Sequence, residues 1–569
     1  MNANQENLKI LRHSAAHLLA QAISELFPET LLTIGPATEE GFFYDMLPTT
    51  NFRDEDLPKI EARMLELANQ DYPITHTEIS KTEARKLYQN NPFKLELIDN
   101  IPGETVGLAT QGNFYDLCRG GHVASTGLIK HFKLSGISGA YWRANRDGQA
   151  LQRIHGTAFP TAQELTDYEE HQAELLKYDH RRLGKQLDLF SFHDEGPGFP
   201  FFHPKGKAVI NALTAYLRKI QRTHNYQEIS TPIVLNEELW HKSGHYQHYK
   251  DNMYFCKIDD ASYAIKPMNC PGSALVFKTR PRSYRELPLK LAEYGLVHRH
   301  ELSGVLHGLF RVRSFTQDDA HIYCMVDQVE SEVLSIIENT NKVLNKFNFT
   351  NIEIALSTKP AKSMGSDELW AKATDALKNA LRSAGANYKI QEGEGAFYGP
   401  KIEFKIRDSM GREWQCGTVQ VDFFLAENFD VVYTTDNDTK TRPVVIHHVI
   451  YGSMERFFGI LLEHFKGQLP FLIAPVQIKI LTITDTQKPY AIDLKQQLEQ
   501  VGIRVEIDQS SDPISGKIKT AQLDKIPWMI VIGNKEVENK TVTLRYQDGK
   551  QEFGISTPKL LADAEIHNK

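Results

Sequence analysis

The run from His298 to His321, HRHELSGVLHGLFRVRSFTQDDAH, constrains the fold of this chain more than any other stretch. It carries arginines at 299, 311 and 313 and acids at 301, 318 and 319, with a glycine-containing loop between two apolar segments. The pattern predicts two antiparallel strands whose loop presents arginines to a polyphosphate, because guanidinium makes paired bonds to phosphate oxygens and stays charged. Salt-bridged surface strands are the alternative, since charge runs are usually solvated faces.

The length of the chain, 569 residues, excludes a single core. At roughly 150 residues per domain, three or four domains are expected. Apolar residues make up 41% and charged residues 24%, an ordinary balance for a globular protein. We expect a cytoplasmic protein with no membrane partner, because no run approaches the ~18 apolar residues of a membrane span and the N-terminus lacks a secretory pattern. Five cysteines, an odd number scattered along the chain, disfavour a disulfide framework.

Changes of pattern along the chain divide it into four segments. The first is α+β, the second a charged helix, the third a mixture of amphipathic helices and strands, and the fourth a strand–helix–strand alternation. Their bounds are 1–160, 161–184, 185–470 and 471–569. The last segment should form a small, mostly parallel α/β domain. It has no glycine-rich phosphate loop, which favours a binding module over a nucleotide enzyme.

Two pairs of metal-ligating side chains lie in the first segment. His13 and His17 are four residues apart on an expected helix, so both imidazoles face one side. Cys118 and His122 have the same spacing and follow the strand-like FYDL, which contains Asp116. The four groups could bind zinc, or they could line a hydrolytic pocket in which histidines orient water. For the first pair alone, two surface histidines are the alternative.

A single arginine stands out in GSMERFFGILL, residues 452–462. Arg456 follows a glycine and lies on an otherwise apolar helix, where a charge needs a partner. A phosphate or a stacked base would supply one, and a structural salt bridge is the alternative.

Taken in order, these segments resemble the threonyl-tRNA synthetases, which are class II aminoacyl-tRNA synthetases. The first class motif is matched by YQEISTPIV around Pro232, and the third by Arg456 in GSMERF. The second motif is matched by Arg299 and Glu301 in HRHE. Segments typical of the family surround these three motifs: KPMNCPG, HGLFRVRSFTQDDAHI, GEGAFYGPKIEF and QCGTVQVDF. The resemblance covers nearly the whole chain.

The resemblance implies an α+β multidomain protein. Its catalytic domain would be a six- or seven-stranded antiparallel sheet with flanking helices. The four segments become an α+β editing domain (1–160), a connecting helix (161–184), a class II catalytic domain (185–470) and a C-terminal α/β anticodon-binding domain (471–569). Family members usually begin with a further small domain, which we expect this chain to lack.

The activity implied is ligation of L-threonine to tRNA(Thr) through threonyl-adenylate, with ATP and Mg²⁺. By the resemblance, Arg299 holds the α-phosphate and the threonine carboxylate, and Arg311 holds the γ-phosphate. Glu301 contacts the adenine amino group and Arg456 packs against the base. His245, in KSGHYQHY, matches a histidine implicated in transfer to the tRNA ribose.

The resemblance also implies one Zn²⁺ per subunit, held by Cys270, His321 and His447. Their spacing shows no local zinc motif, but three protein ligands with an open position are typical of a catalytic or substrate-binding zinc. Threonine would complete the coordination, which rejects valine because valine has no hydroxyl. The residues expected to line the threonine site are Gln317, Asp319 and Tyr398.

Serine has the same hydroxyl, and a missing methyl is worth only ~1–3 kcal/mol. An editing site for Ser-tRNA(Thr) is therefore implied, formed by His13, His17, Lys94, Asp116, Cys118 and His122. The family uses ordered water there, so we rank water activation above a second zinc. Glu536 and Arg545 match positions that contact anticodon bases, and a homodimer is expected.

Two other functions compete with this interpretation. One is an RNA-binding or regulatory pseudo-synthetase on the same fold, and the other is a free-standing metallohydrolase. The intact class motifs and zinc-ligand positions disfavour both. The chain departs from the family pattern at four positions: Gly121, Ser273, His300 and Ser511.

Overall fold

The computed structural model describes residues 3–145 and 148–568. The chain forms two compact units, Met1–Glu174 and Leu175–Lys569. Within the described residues, no helix combines the length and the apolar character of a membrane-spanning segment.

The first unit contains two antiparallel sheets and a long buried helix. Its helices are α1 (Ala3–Leu26), α2 (Leu57–Asn69), α3 (Lys81–Leu87), α4 (Pro92–Asn100) and α5 (Ala162–Lys177), which runs into the second unit. Its strands are β1 (Leu31–Leu32), β2 (Phe42–Leu47), β3 (Ile74–Ser80), β4 (Thr105–Gln111), β5 (Phe114–Leu117), β6 (His131–Tyr141) and β7 (Ala150–Phe159). One sheet has the order β1-β2-β7-β6 and the other β3-β4-β5.

Small residues bring α1 close to the larger sheet. Ala15, Ala16 and Ala20 are completely buried in the core that α1 shares with β2 and β7. The short helices α3 and α4 lie between β3 and β4. Asn91 begins α4 by accepting hydrogen bonds from two backbone N–H groups, with Pro92 next.

The connecting segment is two helices rather than one. α5 ends at Lys177, and α6 (His180–Gln186) begins after Asp179, whose side chain accepts a hydrogen bond from the Arg181 N–H. This cap stops one helix and starts the next, a signal that is local but easily hidden in a charged helical pattern.

The second unit begins with the large sheet and its helices. The helices that follow α6 are α7 (Pro204–Thr223), α8 (Glu237–Lys242), α9 (His245–Tyr249), α10 (Cys270–Phe277), α11 (Val329–Lys346), α12 (Asp367–Ser383), α13 (Phe424–Asn428) and α14 (Met454–His464). The strands are β8 (Phe190–Ser191), β9 (Phe201–Phe202), β10 (Gln227–Glu228), β11 (Val234–Asn236), β12 (Tyr254–Ile258), β13 (Ala261–Ile265), β14 (Leu289–His298), β15 (Ser314–Cys324), β16 (Ile352–Ser357), β17 (Tyr388–Gln391), β18 (Lys401–Arg407), β19 (Glu413–Asp422), β20 (Tyr433–Thr434), β21 (Lys440–Thr441) and β22 (Val444–Val449).

The large sheet has the strand order β10-β14-β15-β22-β19-β18-β16-β17. The six inner strands pair antiparallel, as expected, but the edge strands β10 and β17 pair parallel with their neighbours and bring the sheet to eight strands. The expected strand–loop–strand at the arginine-rich run is confirmed: β14 and β15 are antiparallel, and residues 299–313 join them.

The C-terminal part of this unit has its own core and sheet. Its helices are α15 (Lys488–Gln500), α16 (Ile514–Leu523), α17 (Asn534–Asn539) and α18 (Thr557–His567), and its strands are β23 (Ile478–Thr482), β24 (Val505–Ile507), β25 (Trp528–Ile532), β26 (Thr541–Tyr546) and β27 (Gln551–Ser556). The order β24-β23-β25-β26-β27 has two parallel pairings followed by two antiparallel ones. The expectation of a mostly parallel sheet is therefore only half right, because β26 and β27 form a hairpin at the edge.

Candidate active sites

A cleft of about 480 Å³ opens on the face of the large sheet, and we call it the arginine cleft. It is lined by Arg299, Glu301, Phe310, Arg311, Val312, Phe315, Gln317, Gln415, Cys416, Thr418, Val449, Tyr451, Gly452, Ser453 and Arg456. All four side chains expected to bind ATP lie on it, although they come from the β14–β15 loop and from α14. Gln317, which is expected to line the threonine site, also lines this cleft.

The guanidinium groups in this cleft are only lightly engaged. Arg311 Nε lies 3.0 Å from Glu301 Oε2, an exposed pair that an anion could exchange at small cost. Arg299 donates from Nε to the Pro267 carbonyl at 3.3 Å, and its guanidinium lies 5.1 Å from the centre of the Phe315 ring. Arg456 lies 5.6 Å from the Trp414 ring, and its buried Nε has no hydrogen-bond partner among the described residues. The arrangement suits an anionic, planar ligand.

A buried carboxylate that sequence reasoning missed holds the edge of the cleft. Asp318 accepts hydrogen bonds from the consecutive N–H groups of Ile450, Tyr451 and Gly452 at 2.8, 2.9 and 2.8 Å. Burial raises the pKa of Asp318 to about 7. The three backbone donors act in the opposite direction, but the effect of burial is larger. The acid next to Gln317 thus positions the turn that leads into α14. Strand alternation was the signal, because it points Asp318 to the face opposite its two neighbours.

Replacing Asp318 with asparagine should loosen this turn. The amide offers one acceptor oxygen and turns an N–H₂ group toward backbone donors, which costs about 1–3 kcal/mol of unfolding free energy. We expect a lower denaturation midpoint together with a higher KM for ATP, because Tyr451 and Gly452 line the cleft. Denaturant unfolding and exchange kinetics at varied ATP would measure both. An unchanged KM for ATP would show that Asp318 contributes to the stability of the fold but not to the binding of ATP.

The three expected zinc ligands meet beside the arginine cleft. The candidate ligand atoms of Cys270 on α10, His321 on β15 and His447 on β22 all lie within 4.8 Å of one another. His321 Nε2 is buried and has no hydrogen-bond partner among the described residues, which is the condition of a side chain that awaits a ligand. Asp422 Oδ2 lies 3.0 Å from His447 Nε2, where it can orient that ring. The Cys–His–His trio therefore fits a zinc ion in chemistry and spacing.

The other residues expected near threonine surround this trio. Asp319 accepts a hydrogen bond from the Asn269 amide at 3.1 Å, and the Tyr398 ring centre lies 5.6 Å from that of His447. Tyr398 donates its hydroxyl hydrogen to Gln420. His245 is buried, with Nδ1 2.8 Å from Ser243 Oγ and Nε2 4.0 Å from Cys270 Sγ. Burial lowers the pKa of His245 to about 4.

A second cleft, of about 600 Å³, lies in the first unit, and we call it the histidine cleft. His13, His17, Lys94, Asp116 and Cys118 line it. His122 adjoins them, because its Nε2 lies 3.1 Å from Cys118 Sγ. The structure thus brings together every residue expected at an editing site.

Burial lowers the pKa of each of the three histidines expected at an editing site, His13, His17 and His122. The pKa of His17 falls to about 3 and that of His122 to about 4. His13 Nε2 lies 3.1 Å from Cys118 Sγ, and the His13 and His122 rings stack at 4.7 Å. Neutral imidazoles can accept a hydrogen bond from water or coordinate a metal, so the two chemistries inferred from sequence both remain open.

Asp116 is the charged centre of the histidine cleft. Burial opposes its ionisation, but the Lys94 ammonium, which pairs with it, and His17 hold its pKa below the usual value. Tyr44 on β2 donates its hydroxyl hydrogen to the same carboxylate, and Lys94 lies 3.2 Å from that hydroxyl. The sequence did not predict this role of Tyr44, because nothing in GFFYD indicates which aromatic side chain forms a hydrogen bond in the cleft.

The two residues expected to contact anticodon bases differ in their availability. Glu536 accepts hydrogen bonds from the Gly533 N–H and the Thr543 hydroxyl, both at 2.9 Å, so its carboxylate already serves the start of α17. Arg545 lies on β26, and its buried Nε has no partner among the described residues.

Comparison with known proteins agrees with these sites. Residues 254–465 match the family of the tRNA synthetase class II core domain (G, H, P, S and T). Residues 471–562 match an anticodon binding domain, and residues 106–155 match the threonyl and alanyl tRNA synthetase second additional domain. The chain is therefore a class II aminoacyl-tRNA synthetase in fold and domain content.

Individual relatives narrow the class. The threonine–tRNA ligase of Carboxydothermus hydrogenoformans is 50% identical over 98% of this chain and 89% of its own length. That of Acetivibrio thermocellus is 53% identical over 94% of this chain and 84% of its own length. A crystal structure of the RNA binding domain of threonyl-tRNA synthetase from Cryptosporidium parvum superimposes with a TM-score of 0.66 at 40% identity, covering 68% of this chain and 98% of that one. This chain belongs to the threonine–tRNA ligase family.

Proposed function

We propose that this protein activates L-threonine with ATP and transfers it to tRNA(Thr). The observation that carries the proposal is the arginine cleft, where Arg299, Arg311 and Arg456 converge beside the Cys–His–His trio. A regulatory pseudo-synthetase is not favoured, because such a protein has no need of an open cleft with under-used guanidinium groups. Threonine-dependent ATP–pyrophosphate exchange by the purified protein, with serine and valine as comparators, tests the function.

Each side chain in the arginine cleft has a proposed role. Arg299 holds the α-phosphate and the threonine carboxylate while the adenylate forms, since charge develops at that phosphate. Arg311 leaves Glu301 to hold the γ-phosphate, and the released carboxylate faces the adenine amino group. Arg456 packs on the base, supported by Trp414. Mg²⁺ bound to the phosphates would lower the repulsion between ATP and the threonine carboxylate.

Selection of the amino acid is proposed to occur at the trio. Cys270, His321 and His447 would hold one Zn²⁺ per subunit, which would bind the threonine amino and hydroxyl groups as a Lewis acid. Asp319 would accept the hydroxyl hydrogen, with Gln317 and Tyr398 beside it. His245 lies against Cys270 and is placed to assist transfer to the tRNA ribose.

Hydrolysis of Ser-tRNA(Thr) is proposed for the histidine cleft. The cleft has a volume of about 600 Å³, and His13, His17 and His122, whose pKa values are lowered by burial, can orient a water molecule there. The Lys94–Asp116 pair supplies fixed charges that position the ester. The match of residues 106–155 to the second additional domain supports this assignment.

A cytoplasmic homodimer is proposed on the class II resemblance, and sedimentation analysis would test the dimer.

The variant with His13→Ala and His17→Ala should separate editing from charging. We expect the hydrolysis of preformed Ser-tRNA(Thr) to fall by at least about 100-fold, because the groups that orient water are removed. Charging with threonine should remain. His155→Ala is the control, since this histidine lies in the same unit with its Nε2 2.8 Å from Ser138 Oγ. Equal deacylation by the double variant and the wild type would make the histidine cleft structural.

A further inference from the structure

His180, the first residue of α6, joins three segments that are far apart in sequence. Its side chain is completely buried. Nδ1 lies 2.6 Å from Glu463 Oε1 on α14, and the backbone N–H of His180 donates to the same oxygen at 2.8 Å. Nε2 accepts a hydrogen bond from the Leu309 N–H at 3.0 Å, in the loop between β14 and β15. The connecting segment therefore contacts both sequence motifs that form the arginine cleft.

The partners of His180 dictate its tautomer. The Leu309 N–H can only donate, so Nε2 must present its lone pair. The ring proton then lies on Nδ1 and faces the Glu463 carboxylate. Each nitrogen has a separate task, and a substitution can remove one task while it keeps the other.

The bond to Leu309 anchors the tip of a tight turn that ends at Arg311. The Phe310 N–H donates to the His307 carbonyl at 2.9 Å, and the N–H groups of His307 and Arg311 donate to each other's carbonyls at 3.2 and 3.3 Å. Because the turn is closed in this way, a fixed tip fixes the backbone from which the Arg311 side chain reaches into the cleft.

Gly308 shows how closely the turn approaches His180. Its φ is +49°, and an added Cβ would lie 2.1 Å from His180 Nε2. A side chain at this position would force the tip of the turn away from the imidazole.

The imidazole also supports the aromatic wall of the cleft. The His180 ring centre lies 4.1 Å from that of Phe310, which lines the cleft, and Phe310 lies 4.4 Å from Trp414. Arg456 lies over Trp414. The hydrogen bond and the ring contacts thus reach both Arg311 and Arg456.

A metal ion is the other use for these groups, because ligand atoms of Asp179, His180 and Glu463 lie within 4.8 Å of one another. Both imidazole nitrogens are already engaged, however, and Glu463 Oε2 pairs with Arg412. Arg412 in turn makes two bonds to Asp408, at 2.8 and 2.6 Å. The cluster is a completed hydrogen-bond network and has no spare ligand for a cation.

We propose that His180 is a positioning residue for ATP: its Nε2 holds the Leu309 turn and thereby places Arg311 for the phosphates. This inference rests on the proposed function of the arginine cleft. His180 touches no substrate and acts through Leu309, while its Nδ1 bond to Glu463 keeps the imidazole in place.

A pair of substitutions separates the two nitrogens. His180→Gln keeps an acceptor near the position of Nε2, whereas His180→Asn keeps a donor near the position of Nδ1 and loses the acceptor. Both variants lose one buried hydrogen bond, so similar falls in Tm are expected. We expect His180→Asn to raise the KM for ATP about 10-fold, the effect of one unsatisfied buried N–H. His180→Gln should stay within about threefold of the wild type, and the KM for threonine should change little in either.

Two further proteins complete the test. Gly308→Ala displaces the turn while the side chain at position 180 is unaltered, and it should raise the KM for ATP as His180→Asn does. His224→Asn controls for the substitution itself. His224 is a half-buried histidine that directly follows α7 and does not line the cleft. Equal KM values for ATP in His180→Asn and His180→Gln, or a wild-type value in Gly308→Ala, would overturn the proposal.

Failure of the underlying function would look different. A wild-type protein without threonine-dependent exchange would contradict the proposed activity. The rise in Tm on addition of Mg-ATP would still report binding in the cleft. A smaller rise for His180→Asn than for His180→Gln would then support the positioning role by itself, and equal rises would refute it.

Discussion

Replacement of Arg299 by alanine is expected to slow threonine-dependent ATP–pyrophosphate exchange by about 10²–10³-fold, the usual cost of removing one donor aimed at developing charge. Arg299 directly follows β14, and its guanidinium contacts the Phe315 and Tyr249 rings and one backbone carbonyl. Few contacts within the protein are lost on truncation, so the effect should appear in kcat/KM for exchange and leave the Tm nearly unchanged.

Two companion variants sharpen this prediction. Arg299→Lys keeps the positive charge but loses the planar guanidinium group. Its exchange rate should therefore lie between those of the wild type and Arg299→Ala. Arg285→Ala removes an exposed arginine that lies outside the arginine cleft, and it should exchange at the wild-type rate. A loss below tenfold for Arg299→Ala would contradict the role given to this residue.

Local patterns predicted the parts of the site that one segment supplies. The strands β14 and β15 and their loop follow from apolar segments that flank a charged, glycine-containing stretch, and Arg299, Glu301 and Arg311 all lie in that loop. The i, i+4 histidines on α1 are likewise a property of a single helix. In each case the residues that act together are close in sequence.

Contacts that depend on strand order could not be predicted from spacing. His321 and His447 face each other because β15 pairs with β22, a pairing between segments more than a hundred residues apart. Only the family resemblance identified these two residues as partners of Cys270. The parallel edge strands and the hairpin at the end of the C-terminal sheet were missed for the same reason.

Buried polar residues formed the other group of omissions. Asp318, Tyr44 and His180 look ordinary in sequence, since an acid in a charged run, a tyrosine in an aromatic strand and a histidine in a basic helix all have common surface uses. Each is buried and hydrogen-bonded to a functional segment. Burial of such groups is costly unless every partner is in place, which marks them as structural supports of the sites.

The substitution Cys270→Ala is expected to abolish both zinc binding and threonine activation. Two histidines remain, but the loss of the thiolate takes away one of three protein ligands, which a zinc site cannot replace without rearrangement. Metal analysis of the wild type should give about one zinc per chain, as expected for a single site with three protein ligands, and the variant should contain almost none.

ATP binding distinguishes loss of the metal from loss of the fold. Arg299, Arg311 and Arg456 lie on the neighbouring cleft, so the rise in Tm on addition of Mg-ATP should survive in Cys270→Ala while threonine-dependent exchange disappears. Cys324→Ala is the matched control, because Cys324 is a buried cysteine on β15 that lies outside the trio. Zinc-free wild-type protein with full exchange activity, or normal threonine activation by Cys270→Ala, would show that selection of threonine in this protein does not depend on a metal.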